Sequence, residues 1–265
     1  MRIAVAQFDP TADPSENAAT LTGLAVQAAD GGARLMVAPE GSIVDFLTEP
    51  AVTRTVAEPL DGPFVSGLLA ASQQYGIAVA AGTFTPDRRS GRVHNTLVVA
   101  DRGELRAAYH KVHLYDAFSF TESDTVAPGD AAPPVLDFDG VAVGFATCYD
   151  LRFPELFRVL GDSGADVMAL ASAWVVGPGK EEHWLTLLRA RAIENTSYLV
   201  AADQAGRRAI GRSAAFDPFG LPLLDMGTAA PSLGFVDISG ERLAEVRALL
   251  PSSRHGRFRV APSPS

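Results

Sequence analysis

Two mixed β-sheets packed face to face, with helices outside each, make the α/β fold that this 265-residue sequence predicts. Strand-like and helix-like segments alternate along much of the chain, as βαβ units do. Turn signals such as Asp139-Gly140 join other strands into hairpins, of which a plain Rossmann sheet would have fewer. Eight regular strand–helix units, which a (β/α)₈ barrel needs, cannot be counted.

Residues 3–8 read as the first strand, and Asp13-Pro14-Ser15-Glu16 as a helix start. Asp caps the exposed amides, Pro suits the first helical position, and Glu16 completes a capping-box spacing. That helix runs to about residue 29 and stops at Gly31-Gly32. A second apolar strand, 35–38, ends at Pro39-Glu40. Glu40 thus stands at a strand terminus, where a parallel α/β sheet opens to ligand.

A helix over 64–75 and a strand over 77–82 repeat the unit. Strands 94–100 and 105–111 follow, split by the turn Asp101-Arg102-Gly103-Glu104. Residues 112–134 are polar, aromatic and without periodicity, too long for a plain connection, and form a candidate active-site loop. Strands 135–138 and 141–147 make another hairpin, followed by a helix at 154–160 and a strand at 167–172. A helix from about Lys180 to Glu194, a strand at 198–203, short strands at 213–217, 221–226 and 233–237, and a helix at 241–249 complete the reading. One domain over 1–250 with a C-terminal tail over 251–265 is the expected organisation.

Composition excludes several function classes. Net charge is −9, with 31 acidic against 22 basic residues, so no overall field attracts nucleic acid. No apolar run reaches the roughly 18 residues of a membrane span. A single cysteine rules out an intramolecular disulfide or a multi-cysteine metal site and fits a reducing compartment. The opening MRIAVAQF is too short for a secretory segment, so a cytoplasmic location is expected. The signatures GxxxxGK[ST], HExxH, GxSxG and a strand-initiated GxGxxG are missing from the sequence. His110 and His113 have no third metal ligand near them in sequence.

Cys148 ends an apolar strand and is followed by Tyr149-Asp150-Leu151-Arg152-Phe153-Pro154-Glu155. A free cysteine in such a place is commonly an inert core residue. A thiol at a strand-to-turn junction beside several ionisable groups is less typical of that class and also suits a nucleophile, and the turn offers backbone amides to a developing oxyanion. Lys111 reads as a solvated lysine at an element end or as a charge stabiliser, and Glu40 as a loop carboxylate or as an acid–base group. All three sit at the C-terminal ends of apolar strands, so a packed sheet can bring them to one rim.

The motifs Ala38-Pro39-Glu40, Tyr109-His110-Lys111-Val112-His113-Leu114-Tyr115-Asp116 and Thr147-Cys148-Tyr149-Asp150-Leu151-Arg152-Phe153-Pro154-Glu155 occur in that order. Leu188-Arg189-Ala190-Arg191-Ala192-Ile193-Glu194-Asn195 and Asp217-Pro218-Phe219-Gly220 follow them. With these motifs the chain resembles the nitrilase superfamily of carbon–nitrogen hydrolases over nearly all of residues 2–250. The resemblance implies a four-layer α-β-β-α sandwich, a homodimer or larger assembly, and an enzyme with Cys148 as nucleophile, Glu40 as general acid–base and Lys111 as oxyanion stabiliser. It implies a second glutamate, matched by Glu122, which on its own reads as a solvent-facing loop carboxylate. The backbone amide of Tyr149 would share the oxyanion with Lys111. No metal or other cofactor is implied.

Within the superfamily, the stretches 110–116 and 120–123 are most similar to the small-acid amidases, the branch of omega-amidase and deaminated glutathione amidase. Members of that branch cleave the terminal amide of a 2-oxo dicarboxylate monoamide or a peptide-like analogue. A small carboxylate-bearing primary amide is therefore the expected substrate. An N-carbamoyl amine or amino acid, a nitrile, and a non-catalytic binding role are the alternatives. Trp174 stands where the branch often has a smaller aromatic residue, and Lys180-Glu181-Glu182-His183 also departs from it. Trp174 is either a pocket wall or core packing, Tyr115 either a hydroxyl donor to a substrate carboxylate or a surface residue. Arg152 and Arg207 are the cations available to a substrate carboxylate, and Arg152, close after Cys148, has the better case as a structural anchor for the turn.

Overall fold

The computed structural model describes residues 1–45 and 50–260. The chain runs through β1 (Arg2–Gln7), α1 (Pro14–Asp30), β2 (Leu35–Val37), α2 (Pro50–Val56), α3 (Pro63–Tyr75), β3 (Ala78–Pro86), β4 (Val93–Asp101) and β5 (Glu104–His110). A small hairpin of β6 (Asp116–Ala117) and β7 (Phe120–Thr121) precedes β8 (Val135–Phe138), β9 (Val141–Thr147), α4 (Pro154–Asp162), β10 (Val167–Ser172) and α5 (Lys180–Asn195). The chain continues through β11 (Tyr198–Asp203), β12 (Ala214–Phe216), β13 (Pro222–Asp225), β14 (Ser232–Asp237) and α6 (Gly240–Leu249).

Two six-stranded sheets result, in the orders β14-β1-β2-β3-β4-β5 and β13-β12-β11-β10-β9-β8. Each has a parallel centre with antiparallel flanks: β1, β2 and β3 are parallel in one, β9, β10 and β11 in the other. Alternation along the strands builds the layers. Ile3, Val5, Leu35 and Val37 face Val143, Phe145, Val167 and Val200 in the core between the sheets. Ala4, Ala6 and Met36 point the other way, onto Leu21, Leu24, Val65 and Leu68 of α1 and α3. On the second sheet, Met168, Leu170 and Leu199 meet Phe157, Trp184 and Leu188 of α4 and α5. Burial on both faces explains why these strands read as unbroken apolar runs.

The expected caps are present: Asp13 Oδ1 accepts from the Ser15 amide at 2.8 Å, with Pro14 opening α1. Strand β3 extends beyond the predicted 77–82 because it pairs with β4 from Val79↔Ala100 to Pro86↔Val93. The short α2 has no counterpart in the sequence reading. Residues 112–134, expected as an irregular loop, carry the β6–β7 hairpin and a 3₁₀ turn at Glu122–Asp124. Strand β14 returns to lie antiparallel on β1, although its own strip of sequence gives no sign of which sheet it joins. In the predicted tail, Ser252–His255 form a 3₁₀ turn, and 261–265 fall outside the described residues.

The parallel strands of both sheets end toward one rim. Glu40 follows β2, Lys111 follows β5 and Cys148 follows β9. A hydrogen bond from the Ala173 amide after β10 to Glu40 Oε2, 2.9 Å, ties the two sheets together there.

Candidate active site

Cys148 begins a 3₁₀ helix over Cys148–Arg152 with φ of 43°, in the left-handed region that a non-glycine residue enters only at some energetic cost. The surroundings hold it there. Buried Asp150 accepts from the Thr147 amide (3.0 Å), the Tyr109 hydroxyl (2.9 Å) and the His113 amide (3.2 Å), and pairs with His113 Nδ1 at 2.8 Å. Arg191 of α5 donates from Nε and a terminal nitrogen to the Leu151 carbonyl, at 3.1 and 2.8 Å. Tyr149 lies in the first turn of the 3₁₀ helix, where backbone N–H groups have no intrahelical partner.

Around the thiol lies a buried polar network. The Lys111 ammonium donates to Glu40 Oε1 at 2.9 Å and to Glu122 Oε2 at 2.8 Å. Asn95 of β4 joins the same carboxylates through one amide nitrogen, 2.7 Å from Glu40 Oε1 and 3.0 Å from Glu122 Oε1. The Tyr115 amide donates to Glu122 Oε2 at 2.6 Å. Gln204 Nε2 donates to the Glu40 carbonyl at 2.8 Å and so fixes its backbone. Glu122 is 2% exposed, which corrects its reading as a solvent-facing carboxylate: the Glu122–Asp124 turn folds it inward onto Lys111.

Burial works against the Lys111 ammonium, but Glu122 and Glu40 more than offset it, and its pKa is raised well above the ordinary lysine value. Burial also raises the Glu122 carboxyl, with Lys111 opposing. The Cys148 thiol is pushed well above its usual range by burial and by the Glu40 charge, with Lys111 and the Ser172 hydroxyl pulling it back. A thiol so placed rests protonated, so a nucleophilic role would require a base. The Glu40 charge acts directly on this thiol, which makes its carboxylate the candidate base.

A narrow pocket reaches Cys148. Tyr115, Tyr149, Trp174 and Lys180 line it with Ala173 and Val175, and its volume for water centres is about 10 Å³, room for about one water. It adjoins an outer pocket of about 390 Å³ that shares Tyr115, Val175 and Lys180 and adds Phe118 and Phe120. Trp174 lines the pocket and also packs on Trp184 at 5.3 Å. Tyr115 is buried, not a surface residue, and its hydroxyl accepts from Lys180 Nζ at 3.1 Å.

Arg152 does not anchor the turn, a task that falls to Asp150 and Arg191. Its guanidinium lies over the rings of Trp174 (4.8 Å) and Tyr149 (5.8 Å). Arg207 is exposed and outside both pockets. His110 stacks on His94 at 4.1 Å while His113 turns to Asp150, so the two histidines serve separate contacts. Among the described residues no His/Cys/Asp/Glu group could hold a metal, and no helix is long and apolar enough to cross a membrane.

Sequence reasoning assigned no role to Asn95, Asp150, Lys180, Asp203 or Gln204. Asp150 had a signal, its place two residues after the cysteine. Asn95 and Asp203 had a weaker one, a polar residue inside or closing a buried apolar strand.

Known proteins share this fold. The carbon–nitrogen hydrolase family model matches residues 2–248. A hydrolase of Mycobacterium tuberculosis is 43% identical over 93% of this chain and 92% of its own length. The deaminated glutathione amidase of Escherichia coli O157:H7 is 38% identical over 97% of this chain and 98% of its own. Among solved structures, a CN-hydrolase superfamily protein from Xanthomonas campestris, with an arsenic adduct in its active site, superposes with a TM-score of 0.87 at 28% identity, covering 99% of both chains. A Glu-to-Gln mutant of the amidase from Nesterenkonia, with acrylamide added to its active-site cysteine, gives a TM-score of 0.81 at 29% identity, covering 95% of this chain and 98% of that one. Two mixed sheets between helices, a rim where strands from both sheets meet, and a family match across nearly the whole length make this chain a member of the carbon–nitrogen hydrolase family.

Proposed function

We propose that the protein hydrolyses a small, carboxylate-bearing primary amide to a carboxylic acid and ammonia through a thioester on Cys148. The observation that carries this reading is the buried Lys111 ammonium, held by Glu40 at 2.9 Å and Glu122 at 2.8 Å, beside the chain's single cysteine. The amidases among its relatives support amide over nitrile chemistry.

Glu40 takes the thiol proton as Sγ attacks the amide carbon, so no resting thiolate is needed. The tetrahedral oxyanion is stabilised by Lys111 and the Tyr149 amide, groups already in place before charge develops. Glu40 returns the proton to the leaving nitrogen, and ammonia departs. Water then enters, Glu40 takes its proton as it attacks the thioester, and the same proton finally restores the Cys148 thiol. Glu122 holds Lys111 in position and balances its charge. Tyr149, Trp174 and Tyr115 shape the space for the acyl group, and Arg152 adds positive charge beside it.

This reading extends to one hydrolase domain over 1–250, a homodimer and a cytoplasmic location. Light scattering of the purified protein tests the dimer. The activity is tested by ammonia release from a panel of monoamides of dicarboxylic acids, carbamoylated amines and nitriles, with the Cys148→Ala protein in parallel. Release from the monoamides that disappears with Cys148→Ala is expected. Turnover confined to carbamoyl compounds or nitriles, or activity surviving Cys148→Ala, would contradict the reading.

A further inference from the structure

The chain's 22 basic residues include just two lysines, Lys111 and Lys180. Both are buried at the same site, 0% and 3% exposed. Lys111 has its two carboxylates. Lys180, at the start of α5, shows no carboxylate within ion-pair distance among the described residues. Its ammonium donates to the Tyr115 hydroxyl at 3.1 Å and sits over the rings of Phe118, Tyr115 and Trp174 at 4.6, 4.7 and 5.0 Å.

Ring faces recover only part of what a buried ammonium loses on leaving water. The neighbouring cation is no better provided for. Arg152 lies across Trp174 at 4.8 Å, its Nε is buried without a partner, and its polar contact is to His183 Nδ1 at 3.4 Å. Two cations on the same indole, neither with an acid among the described residues, leave a surplus of positive charge facing the pocket. Lys180 also borders both compartments, the narrow one at Cys148 and the outer one of about 390 Å³. An anion at Lys180 can therefore belong to the same molecule whose other end lies at the thiol.

We propose that Lys180 is the anion receptor of this site, its ammonium taking the free carboxylate of the substrate while the reacting carbon sits at Cys148. The inference rests on the amide-hydrolase reading for the chemistry at Cys148, while the carboxylate contact stands on the cation pair alone. Burial and Arg152 hold the Lys180 pKa below its ordinary value, and a bound carboxylate pushes it back up. Substrate binding then takes up a proton wherever the empty site is partly neutral.

The test compares matched amides with and without the carboxylate: succinamate and glutaramate against butanamide and pentanamide. Lys180→Met should lower kcat/KM for the two acids by about 10- to 100-fold relative to its effect on the neutral amides, mainly through KM. Lys180→Arg should recover part of that loss. An equal loss on both kinds of amide would make Lys180 structural and overturn the proposal. A second readout is independent of turnover. Protein labelled at the lysine ε-carbon gives two lysine NMR signals, and Lys180→Met assigns them. Glutaramate added to Cys148→Ala protein should shift the Lys180 signal and raise its pKa, and an unmoved signal would overturn the proposal. If glutaramate moves that signal but the wild type releases ammonia from no amide, the amidase reading fails while the anion receptor stands.

Discussion

Gly82 of β3 lies against the backbone of Glu40 so closely that a β-carbon on it would come within 2.7 Å of the Glu40 Cα and 2.5 Å of the Gly41 nitrogen. The carboxylate of Glu40 is thus placed from below by a missing side chain, as well as from the sides by Lys111, Asn95 and Ala173. Gly82→Ala must push this segment outward. Overpacking of this kind costs about 1–3 kcal/mol of stability, and a shift near 1 Å costs about 100-fold in rate. The expected result is a protein that folds, unfolds at lower urea concentration, and turns over amide at about one hundredth of the wild-type rate. Unchanged kcat would mean that Glu40 tolerates displacement.

The Glu40 charge raises the Cys148 thiol even though its carboxylate is the proposed base. Glu40→Gln should therefore separate two properties that usually travel together. The thiol should titrate at lower pH than in the wild type, because the like-charge repulsion is gone while Lys111 remains. Turnover should nonetheless fall by about 10²- to 10⁴-fold with the base removed. As the chain has one cysteine, the difference in ultraviolet absorbance between each protein and its Cys148→Ala counterpart, followed against pH, reads this thiol apart from the five tyrosines. A thiol that titrates at the same or a higher pH in Glu40→Gln would contradict the electrostatic account.

Asp150 gathers donors from Tyr109, His113 and Thr147, and so fastens the Cys148 turn to the end of β5 and to the loop beyond it. Its removal leaves several buried donors unsatisfied, each at about 1–3 kcal/mol. Asp150→Ala should lose at least about 3 kcal/mol in urea unfolding. Cys148→Ala, which removes one sulfur and little else, should lose less than about 1 kcal/mol. Equal stabilities for the two variants would show that the turn is held some other way, with Arg191 as the first alternative.

The catalytic candidates differ in how far the sequence betrays them, and the reason is geometric. Glu40, Lys111 and Cys148 stand at the ends of strands, and strand ends are visible as the stop of an apolar run. Packing two sheets with parallel centres then carries them to one rim with no further information. Glu122 sits in an aperiodic stretch and was identified only by resemblance, since the turn that buries it draws on the Tyr115 amide and Lys111, seven and eleven residues away. Asn95 reads as one polar residue in a strand until β4 is paired between β3 and β5, which points it at both glutamates. Lys180 looks like a solvated helix-start lysine for the same reason: the rings that cover it come from Tyr115, Phe118 and Trp174, all on other segments. The placement of β14 on β1 depends on which sheet edge is open, a property of the assembled layers.

Asp203 ends β11 fully buried, with Oδ1 accepting from the Trp174 amide at 2.6 Å. Burial raises its carboxyl well above the usual range, against the pull of the Trp174 amide and Ser172. The acid is thus neutral where an ordinary aspartate is charged. The consequence for stability has a definite sign. Between the unfolded value, near 3.8, and the raised folded value, the native state holds a proton that the unfolded chain has released. Stability from this group is therefore greatest at low pH and declines as pH rises through that window. Asp203→Asn keeps a carbonyl for the Trp174 amide and has no proton to lose. The variant should match the wild type within about 1 kcal/mol at the acid end and gain on it steadily toward neutral pH. Urea unfolding of both proteins at a series of pH values measures the difference. A wild type that gains on Asp203→Asn as pH rises would mean that Asp203 is ionised in the folded protein, and that the β11 end of the site carries a negative charge facing Glu40.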